Sequence, residues 1–221
     1  MRTIRGQRRL AARVRTPQKE HTLSKQYGFL INTAVCTGCG TCQAACIAKN
    51  NLTDGRSFRR VKVYEIGSWR QDRMTGAWVT DITAYGVSMS CNHCDEPSCA
   101  DACPTGAQDK RFEDGLVLID ESKCIGCGMC ARACPYGALS LNETTRKMTK
   151  CNACEDRLRE GLNPDCVDAC PYGALAFGEI SKLREQYGSG SQPAFLPDPE
   201  MTEANLIVLM PEDSRQGNSR G

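Results

Sequence analysis

Sixteen cysteines in 221 residues, none left over from a fourfold grouping, constrain this chain more than any other feature. Cys36, Cys39, Cys42 and Cys46 are spaced C-x2-C-x2-C-x3-C. Cys91, Cys94, Cys99 and Cys103 are spaced C-x2-C-x4-C-x3-C. Cys124, Cys127, Cys130 and Cys134 repeat the first spacing, and Cys151, Cys154, Cys166 and Cys170 are spaced C-x2-C-x11-C-x3-C. Three groups end in Cys-Pro, at Pro104, Pro135 and Pro171. Each is followed by a repeated phrase: Thr105-Gly106-Ala107, Tyr136-Gly137-Ala138-Leu139 and Tyr172-Gly173-Ala174-Leu175. This is internal repetition of a cofactor-binding half.

The spacing carries a mechanism. Three thiolates within seven residues, separated by pairs that include Gly38, Gly40, Gly126 and Gly128, let the backbone wrap one corner of an iron–sulfur cube. The fourth cysteine follows about one helical turn later and points elsewhere; in two-cluster ferredoxins it ligates the partner cube. Proline then starts a new segment. The run from Cys124 to Pro135 matches the bacterial ferredoxin run.

Composition agrees. Hydrophobic residues make up 40% and aromatics 6%, thin for a core in a chain this long, so something besides side chains must fill the interior. A net charge of +2 gives no global reason to expect nucleic acid. The apolar run at residues 206–210 is far short of the roughly 20 residues that a membrane span needs. Residues 1–19 are basic and lack an acidic residue, but charge interrupts any apolar stretch after Arg8-Arg9. A disordered or partner-docking arm is expected there, in place of an export signal.

Other uses of the cysteines are open. Disulfide frameworks have no reason to repeat C-x2-C-x2-C-x3-C-P. Four zinc sites would use sixteen thiolates, yet zinc ribbons pair distant C-x2-C knuckles, a test that only the fourth group passes easily. His93 lies between Cys91 and Cys94, and histidine ligates Rieske centres. Its group already has four thiolates, so a supporting or surface place is expected. His21 has no partner motif, and no Ser-His-Asp order, H-E-x-x-H or P-loop is present. No catalytic centre is expected.

Around the groups, residues 59–66 and 77–89 read as a hairpin, residues 116–119 as a strand, and residues 139–141 with 146–149 as a second hairpin. Residues 156–160 and 179–187 read as short helices, each closed by glycine. Trp69 and Trp78 are expected to be packing residues.

The order of the four groups, with x4 in the second and x11 in the fourth, resembles the four-cluster iron–sulfur electron-transfer subunits of the dimethyl sulfoxide reductase branch of the molybdopterin oxidoreductases. Tyr27-Gly28-Phe29, Ser57-Phe58-Arg59-Arg60, Ser90-Cys91-Asn92-His93-Cys94-Asp95, Met148-Thr149-Lys150-Cys151 and Phe177-Gly178 support the resemblance over residues 25–180. Nitrate reductase relatives carry tryptophan where this chain has Cys127, and formate dehydrogenase relatives usually end in a membrane helix.

The resemblance implies an α+β fold of two fused bacterial-ferredoxin-like modules about a pseudo-two-fold. A basic extension would occupy residues 1–24, a double-ferredoxin body residues 25–188 with a hairpin insertion near 55–90, and an extended tail, docking or disordered, residues 189–221. Four [4Fe-4S] clusters are implied. Spacing alone leaves the pairing of the third group open. The family pattern gives cluster 1 Cys36, Cys39, Cys42 and Cys170, and cluster 2 Cys91, Cys94, Cys99 and Cys134. Cluster 3 takes Cys124, Cys127, Cys130 and Cys103; cluster 4 takes Cys151, Cys154, Cys166 and Cys46. Lys150 and the glycines are candidates for tuning potentials.

By the same resemblance, the chain relays electrons from a quinol-reactive membrane anchor to a catalytic subunit carrying a molybdenum or tungsten pterin. Electrons would enter at cluster 4, pass through 3 and 2, and leave from 1. The chain would associate with the membrane through partners, on the periplasmic face if co-exported and otherwise on the cytoplasmic face. A homologous subunit for tetrathionate, polysulfide, arsenic or selenium oxyanions or formate, a free ferredoxin carrier, and a zinc module are the alternatives.

Overall fold

A computed structural model describes residues 25–53, 55–193 and 195–211. The basic extension over residues 1–24 and the last ten residues of the expected tail lie outside the described residues. In chain order the elements are β1 (Tyr27–Asn32), α1 (Thr41–Lys49), β2 (Arg60–Ile66), β3 (Trp69–Gln71), β4 (Trp78–Thr80), β5 (Thr83–Met89) and α2 (Ser98–Asp101). They continue with β6 (Gln108–Lys110), β7 (Val117–Ile119), α3 (Met129–Ala133), β8 (Ser140–Asn142), β9 (Lys147–Thr149) and α4 (Glu155–Arg159). The last are α5 (Asp165–Asp168), β10 (Leu175–Glu179), α6 (Ile180–Tyr187), a 3-10 turn at Pro199–Met201 and β11 (Leu206–Leu209). The mixture is α+β.

β1 is the middle of a three-stranded sheet, antiparallel to β10 and parallel to β11, with Phe29 opposite Phe177 and Leu30 opposite Ile207. Its four central residues are buried, which suits an apolar strand covered on both faces. α6 closes one side: Ile180 and Leu183 pack with Leu30 and Ile207. The remaining strands form two-stranded ribbons, β2–β5, β3–β4, β6–β7 and β8–β9.

Cysteines occupy the interior. One core holds Phe29, Ile31, Phe58 and Leu175 together with Cys42, Cys46, Cys91, Cys151 and Cys166. A second holds Val117, Leu139 and Met148 with Cys99, Cys124 and Cys130. α1 packs on α5, and α2 packs on α3.

Two expectations are corrected. Residues 189–211 are not a free tail: β11 pairs with β1, and Thr202, Asn205 and Ile207 are buried. The run at 206–210 is too short to be conspicuous, but it meets an apolar strand edge. Trp69 and Trp78 do not pack in a core; they are 62% and 66% exposed. Among the described residues, β3 and β4 pair only with each other, and every residue of both is exposed. No helix among the described residues is long and apolar enough to cross a membrane.

Candidate metal centre

One local turn positions the first two thiols of every group. In each C-x2-C the residue before the second cysteine is left-handed: Gly38 at φ 74°, His93 at 46°, Gly126 at 71° and Ala153 at 57°. A left-handed residue reverses the backbone so that two thiols three positions apart can face one space. Glycine adopts it freely, whereas His93 and Ala153 carry a steric cost that only a well-packed site sustains. Both are fully buried.

The third thiol of each group sits at the second residue of a helix. α1 and α3 start from left-handed Gly40 and Gly128; α2 and α5 start from Pro97 and Pro164. The repeated phrase after Cys-Pro is a second recurrent device. Gly106, Gly137 and Gly173 donate their N–H to the carbonyls of Cys103, Cys134 and Cys170 at 3.4, 3.2 and 3.2 Å. The next residues then turn inward, so Ala107 N–H reaches Cys103 Sγ at 3.2 Å and Ala174 N–H reaches Cys170 Sγ at 3.3 Å.

Three cavities each gather four thiols. Cys46, Cys151, Cys154 and Cys166 line one, with Arg59 and Phe58. Cys91, Cys94, Cys99 and Cys134 line the next, with Asn92 and Tyr136. Cys103, Cys124, Cys127 and Cys130 line the third, with Gln108 and Met148. Every cavity joins three thiols of one group with one from another. Of the remaining four, Cys42 and Cys170 stand close enough for charge on Cys170 to raise the Cys42 pKa, behind the larger effect of burial. Cys36 and Cys39 flank the Gly38 turn, and Cys36 lies against Gly86 of β5.

The donor set fits a cofactor that supplies positive charge. All sixteen thiols are free. Burial, then neighbouring thiolates, pushes the Cys151 and Cys99 thiols up to about 12, and Cys46 to about 11. Burial raises Cys94 to about 11 as well, with the charges of Cys91 and Cys134 adding and a hydrogen bond from Thr202 opposing. Such thiols stay neutral unless a cation takes the charge of the thiolate. Backbone N–H groups already point at sulfur, from Met148 to Cys124 at 3.4 Å and from Ala153 to Cys151 at 3.3 Å. Among the described residues, no three His, Cys, Asp or Glu side chains close on one point as a single ion would require. The thiols stand apart, around a space.

His93 is not among the residues lining the cavity of its group. Its Nδ1 accepts from Val117 N–H at 3.1 Å, and its carbonyl accepts from Asn205 Nδ2 at 2.9 Å. Burial, then the charge of Lys150, holds it well below the usual histidine range, so the ring is neutral.

Two buried cations lie between the thiol sets, Arg59 and Lys150. Arg59 stacks 4.4 Å over Phe29 and donates to Ser88 O at 2.9 Å and to Ser90 Oγ at 2.9 Å. Ser88 Oγ is in turn 3.2 Å from Cys42 Sγ. Burial opposes the Arg59 charge, but its neighbours Cys166, Cys151 and Cys42 outweigh that and raise its pKa. Arg59 and Ser90 were only parts of supporting stretches in the sequence, and Ser88 carried no signal.

These contacts also correct the expected order. The sets adjoin as 1, 4, 2, 3, not 1, 2, 3, 4. α1 carries Cys42 of the first and Cys46 of the fourth and packs on α5, which carries Cys166. Lys150 bridges Cys91 and Cys151. α2 and α3 pack together, with Cys99 and Cys130 inside them. Because Cys46 of the first group lines the cavity of Cys151, Cys154 and Cys166, the fourth group sits beside the first and not at the far end.

Comparison with known proteins gives concordant results. Two 4Fe-4S dicluster domain models match, over residues 82–180 and 35–107. The chain is 47% identical over 193 residues to the B component of anaerobic dimethyl sulfoxide reductase of Escherichia coli (strain K12), covering 87% of this chain and 93% of that protein. It is 37% identical over 142 residues to the B component of tetrathionate reductase of Salmonella typhimurium, covering 64% of this chain and 53% of that protein. The B component of sulfite dehydrogenase of Allochromatium vinosum is 37% identical over 163 residues, with 64% of each protein covered.

Proposed function

The protein belongs to the family of anaerobic dimethyl sulfoxide reductase iron–sulfur subunits, and from that membership we propose the finer assignment that follows. The chain is an electron-transfer iron–sulfur subunit with four [4Fe-4S] clusters and no catalytic centre of its own. The proposed ligands are Cys36, Cys39, Cys42 and Cys170 for cluster 1, and Cys91, Cys94, Cys99 and Cys134 for cluster 2. Cys103, Cys124, Cys127 and Cys130 would hold cluster 3; Cys46, Cys151, Cys154 and Cys166 would hold cluster 4. The observation that carries this is the meeting of four thiols, always three from one group and one from another, around each of three cavities.

Bound there, the clusters supply one-electron acceptors whose potentials the surroundings adjust. The residues of this chain do the adjusting. Thiolates grip iron, and the N–H groups of Ala107, Met148, Ala153 and Ala174 orient sulfur and offset its charge. Arg59 and Lys150 place positive charge between neighbouring sets, and burial excludes water. Two ferredoxin-like halves related by a pseudo-two-fold are proposed within residues 25–188. Support comes from the pairing of glycine-started α1 with proline-started α5, and of α3 with α2.

The proposed partners are a catalytic subunit carrying a molybdenum or tungsten pterin and a quinol-reactive membrane anchor, through which the chain would sit at the membrane. Relatives named as B components of reductases and a dehydrogenase support a multi-subunit assembly. Reduction of a dimethyl sulfoxide-type acceptor is favoured over tetrathionate by the higher identity and coverage.

Oxygen-free purification from the native host tests the reading. The expected preparation is brown, holds about sixteen irons per chain, and brings down a larger pterin-bearing protein. A colourless or zinc-loaded chain would overturn the cluster assignment, and an iron-loaded chain purifying alone would overturn the partners.

A further inference from the structure

Each of the three four-thiol cavities has on its wall a buried side-chain N–H that finds no acceptor among the described residues. Asn92 lines the Cys91 cavity, Gln108 the Cys103 cavity and Arg59 the Cys46 cavity, and their Nδ2, Nε2 and Nε respectively are the unpaired donors. The three residues are 2%, 5% and 1% exposed, so bulk water does not serve them. An unpaired buried donor is costly, and native folds rarely keep one without a reason. Here three different residue types, on three separate segments, repeat the arrangement.

The neighbours say what acceptor is missing. Gln108 faces the cavity that Cys103, Cys124, Cys127 and Cys130 line. Arg59 faces the cavity that Cys46, Cys151, Cys154 and Cys166 line. Asn92 lines the cavity of Cys91, Cys94, Cys99 and Cys134 beside Tyr136, and its Nδ2 makes no hydrogen bond of good geometry to a described residue. Neutral thiols are weak acceptors; thiolates and bridging sulfides are strong ones. We propose that Asn92, Gln108 and Arg59 each donate one hydrogen bond to cofactor sulfur in their own cavity, and so set the potentials of clusters 2, 3 and 4 separately. This rests on the cluster assignment above. A donor to sulfur favours the reduced, more negative state, so its removal lowers the potential.

The test uses the complete iron-loaded complex, titrated anaerobically with dithionite through redox mediators and followed by EPR. Asn92→Leu and Gln108→Met remove the N–H with little change in volume. Each should keep the parent's iron and labile sulfide. One centre, different in the two variants, should show a reduced-to-oxidised ratio about threefold to tenfold lower at fixed ambient potential. Arg59→Lys keeps the charge but withdraws Nε, and should move a third centre.

A second measurement needs no substitution. With heavy nitrogen only in asparagine and glutamine side-chain amides, pulsed EPR of the reduced parent should find hyperfine coupling at clusters 2 and 3, lost one at a time in Asn92→Leu and Gln108→Met, besides any coupling at cluster 4 from Asn50 Nδ2, 3.7 Å from Cys46 Sγ. Iron-loaded variants with unmoved potentials, or a labelled parent without coupling, would overturn the donors alone. A parent complex lacking iron in this chain would overturn the cluster assignment and the donors together.

Discussion

Lys150 Nζ lies 3.5 Å from Cys91 Sγ, although 59 residues separate them, and it donates at 3.2 Å to the carbonyl of Cys151. A third hydrogen bond reaches Val117 O. With 6% exposure, this ammonium is a fixed charge between the second and fourth thiol sets. Lys150→Met keeps the aliphatic stem and removes the charge. A hydrogen bond to a charged group is worth about 1.5–3 kcal/mol, so the potential of at least one adjoining centre should fall by roughly 60–130 mV for one electron. Potentiometric EPR at unchanged iron content checks it; unmoved potentials would refute the role.

Gly86 is where two segments come closest at the first group. A Cβ there would stand 2.7 Å from Gly38 N and 2.9 Å from Cys36 Sγ. Gly86→Ala should cost about 1–3 kcal/mol through overpacking and thin the iron of the first set selectively. Gly40→Ala is the comparison: nothing lies within 4 Å of its added Cβ, and only the left-handed φ of 78° is penalised, by about 1 kcal/mol. Denaturant unfolding under argon, with iron counted, separates the two. Equal losses would mean that the close approach carries no weight.

Much of this site was readable from spacing because ligand geometry is local. Each C-x2-C carries its own turn, and glycine at 38 and 126 announces the left-handed step. The same step at His93 and Ala153 was illegible, since neither residue favours it and only surrounding burial holds it. Of the hairpin read at 59–66 and 77–89, residues 60–66 and 83–89 do pair, but burial does not alternate along either strand and Trp78–Thr80 pairs with Trp69–Gln71 instead. α2 and α5, four residues each, are too short for a 3.6-residue period to appear. β11 was hidden for the opposite reason: its partner β1 lies near the other end of the chain, and the four prolines after Gly188 dominate the local signal.

Asn205 ties that returning strand to the second group. Its Nδ2 donates to His93 O at 2.9 Å and to Asp95 Oδ1 at 3.2 Å, while its backbone carbonyl, which alanine would keep, accepts from Phe29 N–H at 3.1 Å. Asn205 is fully buried. Asn205→Ala should therefore lower stability by about 1–3 kcal/mol. Cluster 2 should be the first to lose iron on warming, because the strained His93 turn loses a hydrogen bond. Thermal unfolding followed by both far-UV circular dichroism and cluster absorbance checks this, and a melting curve identical to the parent's would dismiss it.

Removing the metal tests how far the cofactors replace an ordinary core. Eight of the buried apolar positions in the two cysteine-bearing cores are themselves thiols, so chelation takes away the atoms that the thiols face. The stripped chain should lose its tertiary structure cooperatively, and reconstitution with iron and sulfide should restore it. The pH dependence follows from thiols whose pKa, about 8.5 in the unfolded chain, leaves them mostly protonated at neutral pH, and which burial raises further on folding. Cys151 and Cys99, pushed up to about 12, are protonated at neutral pH, and each must lose that proton to bind iron. Iron uptake should therefore release protons and strengthen as pH rises from about 6.5 to 8.5, whereas binding to preformed thiolates would be flat over that range. Calorimetry in buffers of different ionisation enthalpy measures the release directly. A stripped chain that keeps native circular dichroism and protease resistance would mean that side-chain packing alone sustains the fold.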